Sequence, residues 1–443
     1  TLHEDGTATP PQSRAPLIKA QIERYDRKLE PRFRKTKWSL MAGSPFAFFR
    51  GTNHLFWSDF GDSKLLDHFG GGKGTRVWIC GDAHCDNFGS FTDAGGRLVY
   101  ELNDFDEAVV ADYQFDLWRL GVSLQLLGRE ANRSPKACDR MVLECARGYW
   151  REIKSCHWYA NVRHAPWDEE QASGPVRQYL GHVRKHLGFS HMLERWTKTT
   201  REGPRFKIPG NPDLEAIPRD NAKKLEKALE KYAREIKPWP AGKPRVFEVL
   251  DLARRLNAGI GSEGLKHLYA LVRVGEVGEE SYRILIVKQE VKPGPWEYLS
   301  KKSRRKTQEL CGDSQALRAE LGYRALVRHP DGWLGKIELS DGEYLVRERS
   351  PYKGLLPADM MDEGVAGQLG AILAKAHCRA RDSFAQNAFK AIKADKKAFR
   401  RQVAAIARAY ADQVEEDYKG FKSAQMGGAP MGKVLPGPGL KIS

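Results

Sequence analysis

Long apolar runs are missing from this chain of 443 residues. Nowhere do eighteen apolar residues follow one another, which argues against a membrane-spanning helix. Cysteine is scarce and odd in number, seven in all, without framework spacing. A disulfide scaffold is therefore not expected, and a reduced cytoplasmic setting is. No secretory signal is read after Thr1. Cysteine pairs and a His-Glu-x-x-His arrangement are also absent. His157, His164, His182, His186 and His191 then read as surface or packing groups, not a zinc site. Residues 69–75, Phe-Gly-Gly-Gly-Lys-Gly-Thr, lack the Gly-Lys-Ser/Thr ending of a phosphate loop, because Gly74 follows Lys73. They read as a flexible turn.

What is present has globular proportions, 41% hydrophobic and 29% charged, and length enough for two or three domains. A formal charge of +16 favours phosphate-bearing ligands, from nucleotides to nucleic acid. In the stretch from Asn221 to Lys231, however, acidic residues alternate with basic ones. Solvated helix faces account for such a pattern, so nucleic acid is not the favoured partner.

Chemistry concentrates in one region. The compact apolar run Arg76–Cys80 reads as a short buried strand. It leads into Gly81-Asp82-Ala83-His84-Cys85-Asp86-Asn87-Phe88-Gly89. Leu98–Leu102, after the turn Asp93-Ala94-Gly95-Gly96, reads as a second strand and leads into Asn103-Asp104-Phe105-Asp106-Glu107-Ala108. The two strands are expected to be neighbours that deliver acidic groups to one end of a small sheet. Apolar strands ending in Asp and Asn pack poorly; they suit the handling of a cation and a proton. Upstream, Ser44–Gly51 sets Arg50 among Phe46, Phe48 and Phe49. Arg50 either snorkels from an aromatic core or is held on it, facing a phosphate or the acidic cluster.

A boundary is expected around 203–245, where a charged helix over 219–236 ends in the proline-rich run Lys237–Pro244. Glu248–Leu256 reads as a helix. Gly259-Ile260-Gly261-Ser262-Glu263-Gly264 then opens a strand over Leu265–Val274, followed by a turn from Gly275 to Glu280 and a strand from Tyr282 to Lys288. Alternation puts Ile284, Ile286 and Lys288 on one face. An apolar ceiling beside an ammonium suits an adenine ring and its phosphates. A plain hairpin with an edge lysine has the same pattern. Gly364–Ala376 and Lys396–Tyr418 read as amphipathic helices. Residues 1–16, polar and Pro-rich, are expected to be frayed and unstructured, and the Gly/Pro-rich tail after Gly427 to be disordered or an arm onto a neighbour.

Gly81-Asp82-Ala83-His84-Cys85-Asp86-Asn87 resembles the Gly-Asp-x-His-x-x-Asn loop of aminoglycoside and choline kinases. Asp104–Ala108 resembles their Asp-Trp/Phe-x-x-Ala segment, and Phe115-Asp116-Leu117 their Asp-Leu-Ala helix start. Cys80 departs from the pattern, since His usually stands there. The resemblance implies Asp82 as base or orienting carboxylate with His84 beside it, and Asn87, Asp104 and Asp106 as Mg²⁺ ligands. Gly259, Gly261, Ser262, Gly264, Ile286 and Lys288 would hold ATP, and Arg50 would add a phosphate contact. Kinases place the Gly-rich loop and strand Lys before the catalytic Asp; here they follow it, so a circular permutation is expected. A wider set, from about residue 20 to Phe421 and including Tyr344–Arg347 and Leu373–His377, resembles an uncharacterised bacterial family without an established substrate.

The expected fold is α+β: a two-lobed, protein-kinase-like architecture, circularly permuted, with extra helices. Its parts are a helical extension (1–36), the catalytic and metal-binding part of a large lobe (37–165) and a helical insert (166–240). A small nucleotide-binding sheet lobe (241–350) and the C-terminal helices of the large lobe with a tail (351–443) follow. The expected activity is ATP- and Mg²⁺-dependent phosphoryl transfer to a hydroxyl of an unidentified small-molecule or protein acceptor. Nucleotidyl (AMP) transfer on the same fold, non-catalytic nucleotide or nucleic-acid binding, and metal-dependent hydrolysis built on Asp82, His84, Asp104 and Asp106 remain alternatives.

Overall fold

The computed structural model describes residues 13–61, 63–236, 247–275 and 281–426. The expectations for residues 1–12, Lys237–Pro244, most of the turn after Gly275 and the tail after Gly427 lie outside them, while at residues 14–16 the unstructured stretch is corrected, because Arg14 is anchored by two carboxylates and the helix Ala15–Asp26 begins there. The fold is a mixed helix-and-strand architecture with several sheets, 55% helix and 17% strand. Among the described residues no helix is long and apolar enough to cross a membrane.

The acidic region is built from two antiparallel ladders. Strand β1 (Arg76–Ile79) leads through the Gly81–Asn87 loop into β2 (Phe88–Thr92) and β3 (Leu98–Leu102), and the second acidic loop leads into β4 (Val109–Asp112). β2 pairs with β3, but β1 pairs with β4, Val77 opposite Ala111 and Ile79 opposite Val109. The expectation that β1 and β3 are neighbours in one sheet is therefore corrected. The physical reason is local: Asp93 Oδ1 accepts the amides of Gly95 and Arg97, closing β2 onto β3 as a tight hairpin. The buried apolar β1 is left to pair with the buried apolar β4.

Around these ladders lie long helices. Gln114–Glu130 is buried along most of its length. Pro135–Trp158 starts where Ser134 accepts the Ala137 amide at 3.3 Å, and Glu363–Ala380 where Asp362 accepts that of Val365 at 2.7 Å. Lys396–Met426 closes the bundle. A helix at Phe384–Lys393 lies between the two expected ones. Pro135–Trp158 and Glu363–Ala380 cross with almost no space between them: a Cβ on Gly148 would fall 1.9 Å from the Gly367 carbonyl oxygen, and one on Gly370 2.0 Å from that of Cys145. Arg14 clasps this bundle, bonding Asp417 at 2.8 Å and Asp59 at 2.7 Å.

Of the remaining strands, six form one antiparallel sheet. β5 (Thr197–Thr200) and β6 (Gly203–Phe206) make a separate hairpin. β7 (Leu214–Ala216), β8 (Phe247–Arg255), β9 (His267–Val274), β10 (Tyr282–Gln289), β11 (Gly335–Leu339) and β12 (Gly342–Glu348) run in the order β11-β12-β10-β9-β8-β7. β8 corrects the helix expected at Glu248–Leu256. Its apolar residues Val249, Leu250, Leu252 and Ala253 satisfy a helical period, but seven pairings with β9 and a register shift at Val249/Asp251 win. One face of the sheet buries Leu225, Leu229 and Tyr232 of the helix Arg219–Glu235 against Leu268, Leu285, Val287 and Val346. Each fully buried aliphatic there is worth about 1.5–3 kcal/mol, enough to hold a helix whose other face is charged. The opposite face carries Ile284 and Ile286, packed on Met192, Trp196 and Phe206.

Between β10 and β11, Lys301–Cys311 and Gln315–Leu326 form two helices that bridge sheet and bundle. Arg318, fully buried, donates to the carbonyls of Ala108 at 2.9 Å and Val291 at 3.1 Å.

Candidate functional site

The Gly81–Asn87 loop is clamped from three sides. Asp116, on the helix after β4, accepts the amides of Cys80 (2.7 Å) and Gly81 (2.9 Å). Its other neighbour is His377, whose second ring nitrogen meets the Tyr149 hydroxyl at 2.8 Å; His377 is a packed residue behind the loop. Asn53 and Trp57 donate to the Gly81 carbonyl at 3.1 and 2.9 Å. Gly81 itself has φ +77°, and a Cβ there would lie 2.1 Å from the Glu107 carbonyl, so only glycine fits. The Asn87 amide nitrogen donates to the Asp82 carbonyl at 2.7 Å, and Asn103 N to the Asn87 carbonyl at 2.9 Å. These bonds tie the two acidic loops together.

Asp82 receives the Arg119 Nε at 2.5 Å, and His84 Nε2 stands 3.7 Å from its other oxygen. Burial pushes the Asp82 carboxyl up to about 7, against the pull of Arg119 and with Glu107 and Asp104 adding to the rise. Arg119 is sandwiched by aromatics, its guanidinium carbon 4.0 Å from the Phe49 ring centre and 5.4 Å from that of Phe56. Burial, then Arg50 and Arg119, hold His84 well below its ordinary value, so its ring is neutral, and its Nδ1 has no partner. Arg50 lies over Phe46 and bonds Asp86 of the same loop at 2.6 Å.

Asp104 follows β3. Burial opposes its ionisation, but Lys288, Arg347, Lys353 and His84 together hold it below its ordinary value, so it is a carboxylate. Asp106 forms an ion pair with Lys288, which is buried to 7% exposure at the end of β10. Beyond it, burial pushes Glu290 up to about 8 despite Lys288 and Arg318 nearby. The residues named from sequence thus fall into two groups. Asp82, His84, Asn87, Asp104, Asp106 and Lys288 converge, whereas Gly259, Gly261, Ser262 and Gly264 form the β8–β9 loop, whose neighbours are Arg50, Gly51, Leu29 and Phe33. Ile286 is buried under Trp196 and Phe206, so the chain covers that part of the apolar ceiling itself.

Sequence reasoning gave no role to Arg119, Glu107, Arg347 or Lys353. Glu107 accepts the Gly294 amide at 2.6 Å and Asn53 at 3.2 Å, fastening the second acidic loop to the segment after β10. Among the described residues no group of three or more His, Cys, Asp or Glu side chains is arranged to hold a metal ion. The donors fit a cation only as a partial set. Asp104 is ionised, and Asn87 spends its amide nitrogen on Asp82, which leaves its amide oxygen as the ligating atom. Such a one-Asp, one-Asn set is what Mg²⁺ takes when phosphate oxygens and waters complete its octahedron. Asp106 is engaged by Lys288. A groove of about 620 Å³ beside β8, lined by Lys198, Arg205, Phe206 and Asp251, contains none of these groups.

An ionised Asp104 thus stands beside the clamped Gly81–Asn87 loop, with the strand residue Lys288 paired to Asp106, on a helix-and-sheet scaffold. The chain belongs to DUF2252, a family of uncharacterized proteins conserved in bacteria, which it matches over residues 29–424. No curated protein and no solved structure matches it.

Proposed function

We propose that the chain is a kinase-like, ATP- and Mg²⁺-dependent phosphotransferase acting on a hydroxyl. The observation that carries this is the Lys288–Asp106 ion pair, which joins a sheet lysine from the second half of the chain to the loop behind Asp82 and Asn87. The order of parts supports it. Protein-kinase-like enzymes surround the nucleotide phosphates with a Gly-rich loop, a Lys on the third strand, a catalytic-loop Asp and Asn, and a metal-binding Asp. Here the Gly259–Gly264 loop joins β8 to β9, and Lys288 is on β10, the third strand of that run. Asp82, Asn87 and Asp104 follow one another around the β2–β3 hairpin. The small and large parts occur in the reverse chain order, as a circular permutation would leave them.

When bound, Mg²⁺ would neutralise phosphate charge beside Asp104 and Asn87. Asp82 would orient the acceptor hydroxyl and take its proton; its raised value is suited to that near neutral pH. Arg119 fixes the carboxylate in place. Nucleotidyl transfer would use the same groups, and the position of a labelled phosphate separates the two.

The test is binding, then transfer. MgATP is expected to raise the melting temperature of the parent protein, and Asp104→Asn to lose the magnesium-dependent part while keeping its unliganded melting temperature. Asp82→Asn should bind MgATP like the parent and lose transfer of the γ-phosphate, about 10²–10⁴-fold. A parent protein with no response to millimolar MgATP sinks the proposal.

A further inference from the structure

On the β12 side of the acidic loops two basic side chains make no direct ion pair among the described residues. Arg347, near the end of β12, rests over the Tyr323 ring at 5.4 Å, and neither it nor Lys353 has a side-chain hydrogen bond or ion pair among the described residues. Both line one narrow cavity with Ser90, Thr92, Asn103 and Ser350. The carboxylates that share its wall are committed elsewhere. Glu348 pairs with Arg283 at 2.9 Å, and Asp331 accepts the Trp333 amide at 2.8 Å and the Glu348 amide. Asp104 acts on both cations from nearby and Asp331 on Arg347, and a divalent cation on Asp104 would cancel the influence they share.

We propose that Arg347 and Lys353 form a binding site for a phosphate group carried by the acceptor, which is therefore a phosphorylated, hydroxyl-bearing small molecule. The word acceptor rests on the phosphotransferase reading; the anion site itself does not. Arg supplies a planar donor fork and Lys a point charge; the Ser350 and Thr92 hydroxyls bond each other at 3.2 Å, which leaves one of their two protons for an oxygen of a tetrahedral phosphate. The site is also separated from the Gly-rich loop. That loop joins β8 to β9, and β10 intervenes between β9 and β12. A nucleotide whose phosphates lie between the loop and Lys288 leaves Arg347 and Lys353 for a second ligand. Withdrawal from water, then Arg347 and Arg349, would push Lys353 downward, but its side chain is exposed and so stays largely solvated and charged. An incoming phosphate would act against that push.

Glycerol 3-phosphate and inorganic phosphate are the probes, titrated without magnesium or nucleotide at constant ionic strength, with glycerol and succinate as controls. The two phosphates are expected to raise the melting temperature, and the controls to leave it unchanged. Arg347→Gln and Lys353→Gln should each weaken phosphate binding at least tenfold, since each removes a charged donor. Asp104→Asn, which removes a negative charge beside both cations, should strengthen it. Equal binding in both Gln variants, equal stabilisation by succinate, or no phosphate response in the parent would overturn the site. Phosphate binding that survives while MgATP has no effect would keep the anion site and discard its assignment to an acceptor.

Discussion

His54 shows how much a single buried ring can contribute to pH dependence. It stacks on Tyr25 with ring centres 4.2 Å apart, and neither ring nitrogen has a partner. Burial, then Lys37 and Arg24, push it down to about 3. In the unfolded chain its value is near 6.5. The folded value is the depressed one, so the contribution is present above 6.5 and is lost as pH falls towards 3. Asp82 and Glu290, raised to about 7 and about 8, act in the opposite direction over much of the same range. The parent's own stability curve therefore mixes both signs, and a difference is the cleaner measurement. His54→Phe, compared with the parent by urea unfolding, should gain about 2 kcal/mol of relative stability between pH 7.5 and pH 5. A pH-independent difference would show that His54 titrates in the fold as it does in the unfolded chain. At this scale the sequence was legible where residue type was out of place. Asp82, Asn87 and Asp104 interrupt apolar strands and so announce themselves. Arg119, Arg347 and Lys353 are three among 73 Lys and Arg, and nothing local marks a basic residue that acquires its role only from distant neighbours.

Elements were legible where one periodicity dominated. Ser134-Pro135 set a helix start correctly, and alternation placed Ile284 and Ile286 on one face of β10. The β8 stretch fits two periods, and only its pairing with β9 decides between them. Two element-scale predictions follow from close packing. Gly370→Ala would push a methyl against the Cys145 carbonyl, which is helix backbone and cannot step aside. The gain in helix propensity, up to about 1 kcal/mol, is smaller than an overpacking cost of about 1–3 kcal/mol or more. Net destabilisation by chemical denaturation is expected; a stabilised variant would mean that the two helices can slide apart. The segment Phe189–Phe206 covers the Ile286 face through Trp196 and Phe206. Trp196→Leu should loosen this cover and tighten MgATP binding by up to about tenfold, as expected if only a minor, uncovered population admits the base. Calorimetry checks it, and weaker binding would make Trp196 part of the nucleotide's own contact surface.

At the scale of the molecule, the fold distributes its basic charge. Many of the cations are paired, among them Arg14 with Asp59 and Asp417, Arg379 with Glu101, and Arg163 with Asp382. Each such pair takes a cation out of the set free to meet phosphate, while the formal charge of the chain stays at +16. Family membership over residues 29–424 spans both the sheet and the bundle. The long-range meeting of β10 with the second acidic loop could not be read from periodicity, because it depends on Arg318 and Tyr323 holding the bridging helix against Ala108 and Asn103.

The clasp made by Arg14 joins residues 403 positions apart. Closing a loop of that size in a random chain costs on the order of 5 kcal/mol of entropy, more than one partly buried ion pair returns. The contact can form only after the rest of the chain has already drawn its two partners together. It therefore belongs to the last event of folding and the first of unfolding. Arg14→Ala should leave the refolding rate unchanged and speed unfolding, by stopped-flow fluorescence, with the whole stability loss on the unfolding limb. Slower refolding would instead place the clasp in the folding nucleus. Because Asp59 also accepts the Tyr410 hydroxyl at 2.8 Å, release of Arg14 would be felt in the aromatic packing around Phe56 and Phe60. In native-state hydrogen exchange, amides of the helix Asn53–Phe60 should then report the clasp's opening before any strand of the sheet does.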